Sequence, residues 1–283
     1  MNSGITLAIR LLCILLPGLP ISEAAAQYFY KDQVVPGHTM DQMKVFRQKK
    51  IRNITLTSYE NDGMLSEGFS GEQSINSNYS ETVTVIKSPV TGASELRTYY
   101  NTDGFIIKTT DTTDGSGSIS DYTYNAKGLL LRIINRTTSA GQAKEKDEHV
   151  WFYLPNGKPE RMLRVKNDAD TTVISFVLDE SGNVAEENSR KKGVELPAVF
   201  YYYNPENRLT DIAGYNKKAK RILPDYVFEY DDQGKIKSML VVPEGSDQYQ
   251  KWYYMYNDNG LKIKENCFNK RKQLLGRIEY NYR

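Results

Sequence analysis

The chain has two cysteines and two histidines in 283 residues. Cys13 lies inside an N-terminal apolar run, so once that run is removed Cys267 stands alone and no intramolecular disulfide can form. His38 and His149 are far apart in sequence, which argues against a zinc site. No HExxH, CxxC, P-loop or GxSxG pattern occurs. The one strongly apolar run is too short for a comfortable membrane span. A formal net charge of +2 gives no strong pull toward nucleic acid. These absences set the expectation of a chain without a metal, without a cofactor and without recognisable catalytic residues.

Residues 1–26 read as a secretory signal peptide. Arg10 precedes the apolar core Leu11 to Leu16; Pro17, Gly18 and Pro20 break it; SEAAAQ offers small residues, placing cleavage just before Gln27. Cys13 sits within the apolar run rather than after it, so it does not read as a lipid-attachment cysteine. Removal takes one Arg and one Glu, leaving the net charge at +2. An exported chain without disulfides fits a Gram-negative envelope, in the periplasm or at the outer-membrane surface. No transmembrane span is expected in the mature chain.

What is abundant is tyrosine, 21 against 9 phenylalanines. Tyrosine suits strands and positions that are apolar on one side and wet on the other. The tyrosines recur. Tyr59 leads by four to Gly63, Tyr100 to Gly104, Tyr124 to Gly128 and Tyr153 to Gly157. Leu178 leads to Gly182, Tyr203 to Asn207, Tyr230 to Gly234 and Tyr256 to Gly260. From Gly104 the intervals are 24, 29, 25, 25, 27 and 26 residues, a repeat architecture.

Each unit has a physical reading. Aromatic residues two apart share one strand face: Tyr122 and Tyr124, Trp151 and Tyr153, Tyr201 and Tyr203, Phe228 and Tyr230, and Trp252, Tyr254 and Tyr256. An Asn or Asp follows and starts a turn through its side chain. Glycine then takes the left-handed conformation that closes a type I turn with a bulge, and Asn207 is a residue able to replace it. The opposite connections, such as TDTTDGSGSIS and GYNKKAKRILP, are polar and read as loops. The expectation is all-β: an antiparallel meander of hairpins, open or curled, over residues 55–283. The final IEYNYR reads as the incoming strand of one more unit, with no turn after it.

The pattern Y-[DN]-x-x-G-x-[LI], closest in FEYDDQGKI from Phe228, resembles the YD or RHS repeat. That resemblance implies hairpins wound into a strip or a shell. This chain has too few units for a large shell and no domain after the last repeat, so it looks more like the short secreted YD-like proteins of Bacteroidetes.

Residues 27–54 form a cap segment, with a short helix expected at 40–50 and Thr39 as its N-cap. His38 is placed in a PGHT turn and His149 at the exposed end of the strand EHVWFYL. Cys267 reads as a small packed residue. An outer-membrane barrel shares several of these signals, but KPERMLRVKND and NVAEENSRKK lack an apolar face and the chain lacks a terminal aromatic residue. Glu148, Glu160, Glu186, Glu229 and Glu265 lie on or beside strands, so an acid pair is an open possibility. The clusters RQKKIR, RKK, KKAKR and NKRK would make a cationic edge if they shared a rim. DTT at Asp111 and at Asp170 resembles a Bacteroidetes O-glycosylation acceptor.

The leading expectation is a non-enzymatic binding or scaffold module whose partner is another envelope protein. One alternative is a glycan-binding protein using the tyrosine face; another is a carbohydrate-active enzyme. The aromatic residues named above are the candidate face. Gly63, Gly104, Gly128, Gly157, Gly182, Asn207, Gly234 and Gly260 are the expected turn positions.

Overall fold

The computed structural model describes residues 28–89, 91–113, 115–139, 142–243 and 248–283. The expected signal peptide, its cleavage site included, lies outside them. Among the described residues one helix, α1 (Lys31–Lys49), precedes nineteen strands. The first seven are β1 (Asn53–Glu60), β2 (Ser70–Ile75), β3 (Glu81–Ser88), β4 (Gly92–Tyr100), β5 (Ile106–Thr113), β6 (Ser116–Tyr124) and β7 (Leu130–Ser139). Then come β8 (Gln142–Tyr153), β9 (Pro159–Lys166), β10 (Asp170–Leu178), β11 (Val184–Lys191), β12 (Val194–Glu195) and β13 (Val199–Tyr203). The last are β14 (Leu209–Asn216), β15 (Arg221–Tyr230), β16 (Ile236–Val241), β17 (Gln250–Tyr256), β18 (Lys262–Asn269) and β19 (Leu274–Tyr282).

Every pairing among the described residues is antiparallel, and all but two join chain neighbours; one of the two changes the architecture. β1 pairs β19 as well as β2, from Ile54 opposite Tyr282 to Glu60 opposite Gly276. β12 is a two-residue flap on β11, which itself passes on to β13, so eighteen strands close into a barrel. The expected open or curled sheet is therefore corrected to a closed one. IEYNYR is indeed an incoming strand; its return strand is NITLTSYE from the start of the sheet. Arg283 and Asn53 exchange both backbone hydrogen bonds at 2.8 and 2.9 Å. Closure removes both sheet edges, which an open meander would leave unpaired.

The alternation along β10 shows which face is inside. Thr172, Ile174 and Phe176 are buried while Thr171, Val173 and Ser175 are exposed. The buried side carries three apolar clusters, centred on Trp151, Met162 and Ile174, on Ile54, Ile86 and Ile106, and on Trp252 and Cys267. The outer side carries charge around the ring. Arg97 pairs with Glu81, Arg132 with Glu148, Arg136 with Asp121, Lys251 with Glu229, and Lys264 with Glu279. No helix among the described residues is long and apolar enough to cross a membrane, which says nothing of strands. The outer charges do speak to strands: each Arg or Lys facing lipid near midplane costs about 2–4 kcal/mol.

Seven hairpins, from β4–β5 to β17–β18, turn on one rim with the same backbone bond, and at six of them, all but the Leu154 turn, an Asn or Asp side chain completes it. At Asn101 the side-chain oxygen accepts from the N–H of Asp103 and Phe105, and Gly104 N–H donates to the Asn101 carbonyl. Asp231 repeats it with Gln233, Lys235 and Gly234. The closing residue has positive φ, +86° at Gly104 and +58° at Asn207, where asparagine tolerates the left-handed region. The Gly63 turn is a correction to the repeat alignment. It follows β1, which runs opposite to β4, so it lies on the other rim.

The tyrosines follow from the same rim. Ladders between successive hairpins stop short of the turns; that of β7 and β8 ends at Arg132 opposite Val150. Beyond that point strand carbonyls lose their partners, and tyrosine hydroxyls take over. Tyr153 donates to Leu130 O, Tyr203 to Val184 O, Tyr230 to Leu209 O, Tyr256 to Ile236 O and Tyr282 to Lys262 O, at 2.6–3.0 Å. Phenylalanine would fill the same space but leave each carbonyl orphaned.

α1 is longer than the expected 40–50 and absorbs His38, which lies in a helix rather than a turn. Thr39 is inside it and bonds back to Val35 O, so it is not the N-cap. Met43 and Phe46 seat the C-terminal half on Ile54, Ile75 and Ile106. Arg52 anchors the exit on Asn76 O, Ser77 O and the Tyr79 ring. Lys49 reaches the Asn259 turn and Gln33 the Tyr153 hydroxyl, so the helix bridges opposite walls at the tight-turn rim.

Candidate functional site

The densest buried chemistry lies where α1 begins. Tyr30, its N-cap residue, has no side-chain cap hydrogen bond. The barrel wall supplies the cap instead. Glu187 of β11, 1% exposed, accepts from Phe29 N–H at 2.9 and 3.0 Å, Tyr30 N–H at 3.0 Å and the Tyr201 hydroxyl at 2.8 Å. A carboxylate here satisfies otherwise orphaned donors and complements the positive helix end. Burial pushes the Glu187 carboxyl up to about 7, against the pull of its hydrogen bonds.

Beside it, His149 on β8 lies between two acids. Its Nδ1 meets Asp32 of α1, and its Nε2 lies 3.5 Å from Asp147. Burial alone would lower its pKa; Asp32 and Asp147 outweigh that and raise it to about 9. Asp147 also holds Arg164 through both oxygens at 2.6–3.0 Å. Burial would raise the Asp147 carboxyl, but His149 and Arg164 bring it down to about 2. The expectation of an exposed His149 is overturned: β8 starts seven residues earlier, at Gln142, and carries His149 to mid-wall, 5% exposed. Both imidazole nitrogens look toward carboxylates, Nδ1 hydrogen-bonded to Asp32 and Nε2 in a longer ion-pair contact with Asp147, and Glu187 is committed to α1. The arrangement holds the helix on the wall. Among the described residues no group of three or more His, Cys, Asp and Glu could hold a metal.

The candidate aromatic face points inward. Trp151, Tyr201 and Trp252 are buried, and Tyr122, Tyr124, Tyr153, Tyr203, Phe228, Tyr230, Tyr254 and Tyr256 are half-buried. Trp151 stacks on Phe176 at 5.2 Å, and Tyr30 packs edge-on against Tyr201 at 5.5 Å. The candidate acids are not brought together. Glu148 and Glu229 are in outer ion pairs, Glu160 is exposed, Glu186 faces outward, and Glu265 is inside with Lys262 at 2.7 Å. Cys267 is fully buried. RKK, KKAKR and NKRK fall at hairpins of one rim; RQKKIR falls at the other, at the end of α1. Asp32, Asp147 and Glu187 were not anticipated from sequence. The signal for Glu187 was an acid in step with inward Val184 across the bulged end of β11.

No family model matches the chain, and no curated protein matches it. Among solved structures it is similar to the TcdB2-TccC3 crystal structure, at 13% identity and TM-score 0.34, covering 76% of this chain and 12% of that one. It thus spans only a small part of that protein. It is also similar to a porin-like protein from Bacteroides uniformis, at 12% identity and TM-score 0.39, covering 82% and 98%. A porin-like protein from Bacteroides vulgatus gives 12% identity and TM-score 0.27 over the same shares. At these scores the likenesses establish neither family nor function.

Proposed function

We propose that this protein is an exported, non-enzymatic binding or scaffold module of a bacterial envelope, a short relative of YD-type hairpin repeats. The observation that carries the reading is the spending of its reactive groups. His149, Asp32, Asp147 and Glu187 are consumed in fixing α1 to the wall. The outer wall meanwhile displays exposed Val177, Tyr202, Tyr215 and Met255 among its ion pairs. A rigid closed wall with apolar side chains in a charged field is a contact surface. The export address is part of the proposal and rests on the N-terminal sequence.

The test is a cross-linked pull-down of the tagged protein from its native envelope. A reproducible stoichiometric partner is expected. Recovery as an isolated soluble species, together with turnover of a glycan in a hydrolysis screen, would contradict the reading.

A further inference from the structure

The outer wall has a groove of about 590 Å³ where β10, β11 and β13 approach the tight-turn rim. Its opening follows from the ladder. β11 and β13 share only two registered pairs, Glu186 opposite Phe200 and Glu187 opposite Val199, and then diverge. Val177 and Tyr202 stand in the gap, each 49% exposed, with Phe200 at its inner end.

The polar groups of the groove divide sharply. Asp179 accepts from Asn183, Asn204 accepts from Arg208 N–H, and Asn207 accepts from the Asn183 amide. Those side-chain oxygens are spent on the turns. Glu186 has no hydrogen-bond or ion-pair partner among the described residues. No lysine or arginine lines the groove. What remains is the Glu186 carboxylate, the rings of Phe200 and Tyr202, the Val177 side chain and, at the turn, the Ser181 hydroxyl. A sugar needs several convergent donors and acceptors, and the acceptor oxygens of Asp179, Asn204 and Asn207 are taken up by the turns. An alkyl stem ending in a cation needs what is left: apolar contact, ring faces and one counter-charge.

We infer that this groove binds a lysine or arginine side chain presented by a protein partner, with the stem on Val177 and Phe200 and the charge between Tyr202 and Glu186. The inference rests on the binding-module reading and assigns that reading a place and a chemistry.

The test uses the full mature protein and small probes. The Tyr202 ring resonances, assigned by comparison with Tyr202→Phe, are followed by NMR while N-acetyl-lysine methylamide is added. Saturable shifts are expected, weakened about tenfold in Glu186→Gln, which corresponds to loss of a charge-assisted contact of about 1.4 kcal/mol. N-acetyl-norleucine methylamide, which keeps the stem and lacks the charge, is expected to shift nothing at the same concentration. Equal response to the neutral probe, an undiminished response in Glu186→Gln, or saturable binding of methyl glycosides in place of lysine would each overturn the inference. The two readings fail separately. A stoichiometric partner still captured by Glu186→Gln and Tyr202→Ala condemns the groove alone. Lysine binding by a protein that captures no partner condemns the module reading alone.

Discussion

The Tyr230 hydroxyl donates to the Leu209 carbonyl at 2.7 Å, across 21 residues and from one hairpin to the one before. The same bond recurs at four further units and explains why the repeat uses tyrosine. Replacement by phenylalanine leaves the carbonyl without a partner where the strands diverge. Tyr230→Phe and Tyr256→Phe are expected to cost about 1 kcal/mol each in denaturant unfolding. Tyr124 provides the contrast, because its buried hydroxyl has no partner among the described residues. Tyr124→Phe is expected to be neutral or slightly stabilising. Equal losses at all three positions would show that the hydroxyls do not extend the ladder.

α1 depends on a narrow contact. Within the helix Pro36, Met43 and Phe46 are buried, and Phe46 lies against Tyr282 at 6.1 Å. Phe46→Ala is expected to destabilise by about 3–5 kcal/mol. Lys44→Ala, on the exposed side, is expected to stay within about 0.5 kcal/mol. A calorimetric comparison of the two variants decides whether the helix is integral to the fold or an appendage.

The buried cluster makes stability depend on pH, with a definite sign. His149 is raised from 6.5 to about 9, so its contribution is complete below 6.5 and is lost as pH rises through 9. Glu187 is raised from 4.5 to about 7, so the folded protein holds the proton more tightly and that contribution is lost between those values. Asp147, held at about 2, contributes above 3.8 and loses its share below. Thermal melting should therefore peak in the mildly acidic range and decline toward pH 9. His149→Gln should flatten the decline above pH 7. A mutant curve parallel to wild type would remove His149 from the account.

The charged outer wall predicts behaviour in lipid. The mature protein, mixed with preformed vesicles without detergent, is expected to stay in the supernatant on flotation and to release no trapped dye. Dye release with protease-protected strands would mean that Arg97, Arg132 and Lys264 are tolerated against lipid.

Much of the fold was legible because its rules are local. The step from Tyr230 through Asp231 to Gly234 specifies a turn within five residues, and the pairing of neighbouring strands follows. Closure was not legible. It depends on Ile54 meeting Tyr282 across the whole repeat, and nothing in NITLTSYE or IEYNYR names the other strand. Which face would be inside was equally open, since Trp252 and Tyr253 present apolar rings to opposite sides. The buried cluster escaped for a related reason. Asp32, Asp147, His149 and Glu187 come from one helix and two strands, and only the curvature of the wall brings them together. Gly63 misled because the same turn chemistry serves either rim.

Closure is the claim on which the rest depends, since it sets the inside, the outside and the seat of α1. Hydrogen–deuterium exchange of the mature protein tests it most directly, through the amides of Asn53–Glu60 and Leu274–Tyr282. The closed barrel predicts protection in both strands comparable to that of β8 in the middle of the chain. Complete exchange of both within seconds, beside a protected β8, would show an open sheet and contradict the account.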